Sequence, residues 1–490
     1  MNIVEALSGR TKLKGIRWVL LSATARWVLR DQLRSLLSAG AILGPCHLRH
    51  VRFKLGQGLT AFYDVQVRIR AIDAYQVRPI AVTWGLDGDT DERNGEADLA
   101  KMQAEAVHRG VAAPFLQLMS DLPRWSMRVR VSPLDARFIQ LARMSDAGYV
   151  RAMLAAAYGS DGVASDQRRI GQYTVTYIKY RPGKRHVLRY NPLDGVAATV
   201  FAKLYAGQDA EHAFRVATYA ANWLAEHAEG VSCARPLAYV AEDSVVLYPQ
   251  VFGAPLTDHL RYPSGGRLRC LERTGAALRA LHDLPEAFAG RLGQHDFAAE
   301  VRETTRASHH IRALLPHVGS AIEALLDRAQ ELHERLPQEP PTFTHGDLKS
   351  KHIWVAAGGL TVIDFDNSRL ADPAIDVGKF LADMEFWHAS HNRPGVEEAQ
   401  ESFLAGYARS APKERLIRAR LYQAVKLVKY AVRQVHPFDH DWASRTAWLV
   451  GRARAVMKEL QLTVTASRRS QSGQQRRVGN YPLPQPTATV

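Results

Sequence analysis

The sequence predicts an α+β protein of more than one domain, and three observations carry that prediction. Short runs that alternate apolar and polar residues cluster in two places, His47 to Trp84 and Gln172 to Leu204. Helix-forming sequence follows each cluster, Glu96 to His108 after the first and Ala210 to Ala228 after the second. From about residue 253 the pattern is mainly helical. There Val377, Phe380, Leu381, Met384 and Trp387 share one face, as do Ile417, Leu421, Val425, Val428 and Val432. A chain of 490 residues has room for two or three such units. The expected boundaries are an N-terminal α+β domain over 1–160, a small strand-rich lobe over 170–252, a helical lobe over 253–464 and a disordered basic tail over 465–490.

Composition narrows the partners. Apolar residues make up 46% of the chain and charged residues 23%, as in a globular protein. Cys46, Cys233 and Cys270 lie far apart, without C-x-x-C or metal-ligand spacing, which fits a reduced, intracellular setting. No signal peptide is recognisable, and Trp18 to Leu29 is interrupted by Arg26 and too short to cross a bilayer. A cytoplasmic protein with no transmembrane segment is therefore expected. The net charge of +15 favours anionic partners and argues against a cationic substrate, unless it only reflects arginine usage in a GC-rich genome. No zinc finger, basic zipper or aromatic-plus-basic RNA motif is present, so nucleic-acid binding is not expected. The sequence sets no oligomeric state.

Taken in order, residues 1 to about 45 read as helical. Ile16, Val19, Leu20, Ala23, Trp27 and Leu29 lie near one face, suited to packing on the next domain or, less commonly, to a membrane surface. Phe53 to Tyr63 reads as a hairpin turning at its glycines, and Asp64 to Ile69 and Ile80 to Trp84 continue the strands. This outline recurs: Lys54 to Tyr63 aligns with Arg181 to Tyr190, each position 127 further on. A degenerate duplication follows from this, in which Thr83 stands near the place that Lys203 holds in the second copy. Residues 85–98 form an acidic loop in which Asp87, Asp89 and Asp91 suggest calcium, but the preceding helix and closing glutamate are wanting. The best linker is Gly159 to Gly162.

The second copy begins with Tyr173 to Tyr180, turns at Arg181-Pro182-Gly183-Lys184-Arg185, and returns through His186 to Tyr190. Further on, Val245 to Gly253 reads as a strand and a glycine-bearing connector. Thr342 to Gly378 is the most informative stretch: a loop with His345-Gly346-Asp347, strands Ile353–Ala356 and Leu360–Ile363 about a Gly358-Gly359 turn, then Asp364. A hairpin of this kind brings Asp347 and Asp364 to one end. Two carboxylates beside one cleft suit metal-assisted phosphoryl transfer, one handling the proton of an attacking hydroxyl and the other a divalent ion.

His345-Gly346-Asp347, then Ile363-Asp364-Phe365-Asp366, then Asp372-Pro373-Ala374-Ile375-Asp376 resemble the aminoglycoside phosphotransferase and choline kinase-like family, over roughly Gly171 to Leu460. The resemblance implies a bilobal protein-kinase-like fold, with an antiparallel-sheet small lobe and a mainly helical lobe. It implies ATP, Mg²⁺ and transfer of the γ-phosphate to a hydroxyl of a small molecule such as a sugar or amino alcohol, here neutral or anionic. By the same resemblance Asp347 is the catalytic aspartate and Lys349 lies near the γ-phosphate, where a solvated lysine is its competitor. Asp364 holds the metal, and Asp366 reaches a second ion or water. Lys203 contacts the α- and β-phosphates, with Glu211 as its helix partner. Gly183 marks the turn over the phosphates, and backbone groups from Tyr248 to Val251 meet the adenine. Asp376 braces the catalytic loop. His352 is a departure, since the family has asparagine there. Histidine offers nitrogen where Mg²⁺ prefers oxygen, so a single site on Asp364, a shift toward Mn²⁺, or lost catalysis would follow. The last is the alternative reading, a pseudokinase that binds nucleotide or a partner protein without turnover.

Overall fold

The computed structural model describes residues 20, 22–54, 58–69, 75–85, 96–159, 172–195, 197–207, 209–261, 265–285, 292–409, 411–436 and 439–478. The candidate calcium loop and most of the linker lie outside them. Helix α1 (Ala23–Ser35) starts where the Ser22 hydroxyl accepts from the Ala25 N–H at 3.1 Å. It buries Ala25, Leu29 and Leu33, so of the face expected from the sequence Leu20 and Leu29 are buried while Ala23 and Trp27 are exposed. Strand structure also begins earlier than expected, at Ala41.

The first sheet comprises β1 (Ala41–Lys54), β2 (Gly58–Ile69), β3 (Tyr75–Gly85), β4 (Met119–Leu122) and β5 (Met127–Val131), with helix α2 (Glu96–His108) between β3 and β4. Leu59, Ala61, Tyr63, Val65 and Val67 alternate inward along β2, as the period of a half-buried strand requires. Helices α3 (Leu141–Met144) and α4 (Ala147–Gly159) lead to the second sheet. That sheet is built from β6 (Tyr173–Arg181), β7 (Arg185–Pro192), β8 (Val200–Leu204), β10 (Ala238–Val240) and β11 (Val245–Pro249). Helix α5 (Asp209–His227) and β9 (Val231–Cys233) intervene before β10.

The two sheets repeat one plan. Their strand orders are β1-β2-β3-β5-β4 and β6-β7-β8-β11-β10, antiparallel throughout, with the helix inserted after the third strand in each. Both last hairpins turn through a short 3-10 segment closed by a left-handed serine, Ser126 at φ 45° and Ser244 at φ 49°. The register fixes the equivalence. Thr83 pairs with Thr60 across β2 and β3 as Lys203 pairs with Val187 across β7 and β8. Thr83 thus occupies the backbone position of Lys203, and its hydroxyl meets Thr60 at 3.3 Å instead of a charged group. One core joins both sheets, from Leu59 and Val129 to Leu188 and Leu247.

The segment between the sheets is tied to the second one. Tyr180 donates to the Leu134 carbonyl at 2.7 Å, Tyr190 to that of Met144 at 3.1 Å, and Tyr149 to Asp243 at 2.7 Å. Arg143 is ion-paired with Asp243 as well.

The helical lobe follows. It contains β12 (Ala254–Pro255), α6 (Leu256–Leu260), α7 (Gly265–His282), β13 (Gln294–His295), α8 (Phe297–Leu314), α9 (Pro316–Glu334) and β14 (Thr342–Thr344). After these come β15 (Ile353–Ala356), β16 (Gly359–Val362), β17 (Arg369–Ala371), α10 (Ala374–Ser390), α11 (Val396–Tyr407), α12 (Lys413–Arg433) and α13 (Trp442–Val478). The hairpin expected around Gly358-Gly359 is present, Ile353 opposite Val362 and Ala356 opposite Gly359. The last helix runs past residue 465, where the sequence suggested a disordered tail; 479–490 lie outside the described residues.

On α12, Val425, Val428 and Val432 are buried as expected, and the basic residues divide, with Lys413 and Arg433 exposed and Arg418 and Lys426 buried. Arg418 is 1% exposed, its guanidinium held by Asp372 at 2.7 Å and Glu339 at 2.5 Å, and Lys429 turns into the lobe's pocket. Helical periodicity marks which positions face inward but not which cations have carboxylates waiting there. No helix among the described residues is long and apolar enough to cross a membrane.

Candidate active site

The site forms where the second sheet meets the β15–β16 hairpin. Lys203, on β8, donates to Asp364 Oδ1 at 2.7 Å and to Asp366 Oδ1 at 3.1 Å, and its amine lies 5.4 Å from the Tyr248 ring centroid. Burial opposes the charge on Lys203, but Asp366 and Asp364 outweigh it and raise the amine's pKa. Asp364 has φ 70°, a left-handed conformation uncommon outside glycine and concentrated at functional sites. Burial pushes its carboxyl up, while Lys203, His352 and Arg185 pull it well below the ordinary range.

Arg185, at the start of β7, reaches the same acids. It stands 2.7 Å from Asp366 Oδ2 and 3.6 Å from Asp364 Oδ1. Asp366 also accepts from the Tyr205 hydroxyl at 2.7 Å. Its carboxylate is 4% exposed and engaged by Lys203, Arg185 and Tyr205, so it anchors the cations around Asp364. Neither Arg185's reach nor Tyr205 was assigned from sequence; the basic run at the hairpin tip was the available signal for the former.

Gly183 sits at the turn above, with φ 71°. Its N–H donates to Asp135 Oδ2 at 2.7 Å, and its carbonyl accepts from Arg137 at 3.0 Å. The same Asp135 oxygen meets buried His186 at 2.7 Å. The segment after the first sheet therefore clamps the turn expected to lie over phosphates. Tyr248 is the penultimate residue of β11, and Val251 lies half-buried on the following connector. The structure does not bring Glu211 to Lys203, and that pairing is corrected. Glu211 is exposed in the first turn of α5, where it complements the helix N-terminus, and Asp364 and Asp366 take its place.

Asp347 lies between two lysines. Lys349 Nζ is 2.6 Å from Oδ2 and Lys379 Nζ 3.5 Å from Oδ1. Burial raises its pKa, but Lys379, then Lys349, lower it further than burial lifts it. The loop's backbone is fixed from below. Asp376, fully buried, accepts from the N–H groups of His345 at 2.6 Å and Gly346 at 2.8 Å, and faces His282 at 3.3 Å. His282 in turn meets the Tyr407 hydroxyl, a packing role. His345 accepts weakly from the Asp347 N–H and donates to the Ile363 carbonyl at 3.1 Å, joining the two acidic loops. A Cβ on Gly346 would stand 2.0 Å from the Asn367 carbonyl oxygen, so only glycine fits there. Asp383, not foreseen, accepts from Ser350 N–H at 2.7 Å and from its hydroxyl at 2.6 Å.

His352 links the two acids. Its Nδ1 faces the Asp347 carbonyl at 3.0 Å; that oxygen only accepts, so the ring proton sits on Nδ1. Nε2 is left with its lone pair 3.4 Å from Asp364 Oδ2. Burial, then Lys349, hold the imidazole pKa well below its usual value, so the ring is neutral near pH 7. Two lone-pair donors converging in this way suit a cation between them. The donor set of Asp364 oxygen and His352 nitrogen therefore fits a divalent metal, with imidazole better matched to Mn²⁺ than to Mg²⁺. A further group, His295, Glu300 and Glu303, also converges. Lys426 and Lys429 already lie 2.9 and 2.8 Å from Glu300, so this is an ion-pair network and no metal seat.

Beside Asp347 opens a cavity of about 240 Å³, lined by Glu303, Lys349, Asn367, Arg369, Lys379, Lys426, Lys429 and Arg433, among others.

Residues 187–419 match the phosphotransferase enzyme family, APH. The matched part includes Lys203, Asp347 and Asp364. Over these residues the chain is similar to the aminoglycoside phosphotransferase and choline kinase-like family, with the bilobal, protein-kinase-like fold that the resemblance implies. Several solved structures are similar. Spectinomycin phosphotransferase, in complex with ADP and spectinomycin, shares 14% identity over 59% of this chain and 93% of its own, at a TM-score of 0.41. An amicoumacin kinase in complex with AMP-PNP, Ca²⁺ and Ami shares 15% over 63% and 96%, at 0.44. Plasmodium vivax ethanolamine kinase shares 12% over 64% and 90%, at 0.43. No curated protein is a significant match.

Proposed function

We propose that the protein transfers the γ-phosphate of ATP to a hydroxyl of a small, neutral or anionic acceptor in a divalent-metal-dependent reaction. The observation that carries this reading is the Lys203 amine at 2.7 Å from Asp364, with His352 linking Asp364 to the backbone of Asp347. Lys203 and Arg185 are both placed to exchange their carboxylate partners for nucleotide phosphate oxygens. Asp364 and His352 would hold the metal, which supplies positive charge to the phosphate oxygens when bound.

Asp347 is a weak base, held low by its two lysines, and so orients the acceptor hydroxyl and takes its proton late. The acceptor oxygen bonds to the γ-phosphorus as the bond to the β-bridging oxygen breaks, and ADP leaves. Lys349 and Lys379 keep the Asp347 carboxylate aimed, and Lys349 is near enough to follow the phosphoryl group.

The test is ADP release in Mg²⁺ and in Mn²⁺ over a panel of hydroxyl acceptors, with Asp347→Asn as control. Transfer that falls about 10²–10⁴-fold in the variant, with nucleotide binding retained, is expected. Nucleotide binding with no acceptor-dependent release would favour the pseudokinase alternative, which His352 motivates.

A further inference from the structure

We propose that the acceptor carries a compact anionic group, a phosphate monoester or a carboxylate, seated on Arg369, Lys429 and Arg433 beside Asp347. This rests on the phosphotransfer reading above and names the substrate class of the same site. The cavity's cationic side chains are Lys349, Arg369, Lys379, Lys426, Lys429 and Arg433. Against them, among the described residues, stand Asp347, Glu303 and, just behind the wall, Glu300 and Asp383, so six cations face four anions. Gathering like charges in a partly buried wall is unfavourable unless a ligand offsets it. Lys426 shows the strain: burial pulls its amine down to about 7 even with Glu300 beside it.

Arg369 supplies the open donors. Its nearest carboxylate, on Glu300, is 4.0 Å away, its contact with the Gly346 carbonyl is 3.5 Å, and its buried Nε has no hydrogen-bond partner. A guanidinium presents a planar fork matched to phosphate or carboxylate, and here most of that fork is unused. Lys429 and Arg433 lie along the facing helix, joined through Glu303 at 2.7 and 3.0 Å. A cavity of about 240 Å³ is below the roughly 300–1,000 Å³ of drug-sized sites, which suits a monosaccharide-sized acceptor.

Two measurements on the full chain test this. First, inorganic phosphate is titrated into protein saturated with ADP and Mn²⁺, followed by melting temperature and calorimetry. Wild type should bind phosphate, and Arg369→Gln should bind it about tenfold more weakly, as should Arg433→Gln at the exposed rim, where folding is not at risk. Second, ADP release is compared across hexoses, hexose monophosphates, sugar acids and an aminoglycoside. Release with the phosphorylated or the acidic sugars alone supports the proposal and says which anion is used. ADP binding without phosphate binding, or turnover of neutral or cationic acceptors with KM unchanged in Arg369→Gln, overturns it. Phosphate binding that depends on Arg369 in a protein that binds no nucleotide would sink the phosphotransferase reading while leaving the anion site standing.

Discussion

At the scale of single residues, His352 is where the preference of the proposed metal site would be set. Its proton is committed to the Asp347 carbonyl, and the bare Nε2 points at Asp364. His352→Asn restores an oxygen donor. It should shift the ratio of Mn²⁺ to Mg²⁺ supported nucleotide binding toward Mg²⁺ by about tenfold, read by calorimetry with each ion. The acidic pair and Lys203 were legible in the sequence because their spacing is tied to short, recognisable strands. Lys379, Arg369, Tyr205 and Asp383 were not. They reach the site from separate elements, and nothing local distinguishes Lys379 on α10 from a surface lysine until Asp347 is found beside it. Glu211 was misplaced because a helix start was visible while the direction its side chain takes was not.

Elements explain how those residues are held. The turn at Gly183 gets its shape from Asp135, which accepts from the Gly183 N–H and from buried His186 with one oxygen. Asp135→Ala leaves both donors without a partner, at about 1–3 kcal/mol each when buried. The expected result is a KM for ATP raised about tenfold with kcat changed less, measured by coupled ADP release. Helices α8 and α12 meet through Glu300 and Glu303 against Lys426, Lys429 and Arg433. Burial raises the Glu303 pKa, but Lys429 and Arg433 bring it down to about 2 from an ordinary 4.5, and Glu300 lies well below the ordinary range. The unfolded chain binds protons below about pH 4.5 that the folded chain refuses until about pH 2. Stability from this contact is therefore complete above 4.5 and lost as pH falls between the two. Urea midpoints should drop between pH 6 and pH 3.5, and the drop should be smaller in Glu303→Gln, by a modest amount because Glu303 is partly exposed. On α12 charge alone reads as solvent-facing, yet Arg418 and Lys426 are buried because carboxylates from other segments meet them.

For the whole molecule, two sheets of one topology share a core, and among the described residues the lysine facing acids lies on the second. The repeat was visible in sequence as a basic residue, a glycine and a strand ending in tyrosine; the matching serine-closed hairpins were not, since Leu122 to Val131 and Val240 to Pro249 have little identity. The first copy has Thr83 at the lysine position, bonded to Thr60, and its following segment clamps the second copy's phosphate-covering turn. On the phosphotransferase reading, the first copy would support that turn mechanically and bind no nucleotide of its own.

The most direct test of this account is a calorimetric titration of the intact chain with Mn²⁺ and a non-hydrolysable ATP analogue, repeated on Asp364→Asn and Thr83→Ala. One nucleotide per chain, abolished by Asp364→Asn and unchanged by Thr83→Ala, is the predicted result. Binding that survives Asp364→Asn, or that is lost with Thr83→Ala, would contradict the placement of the site between Lys203 and Asp364.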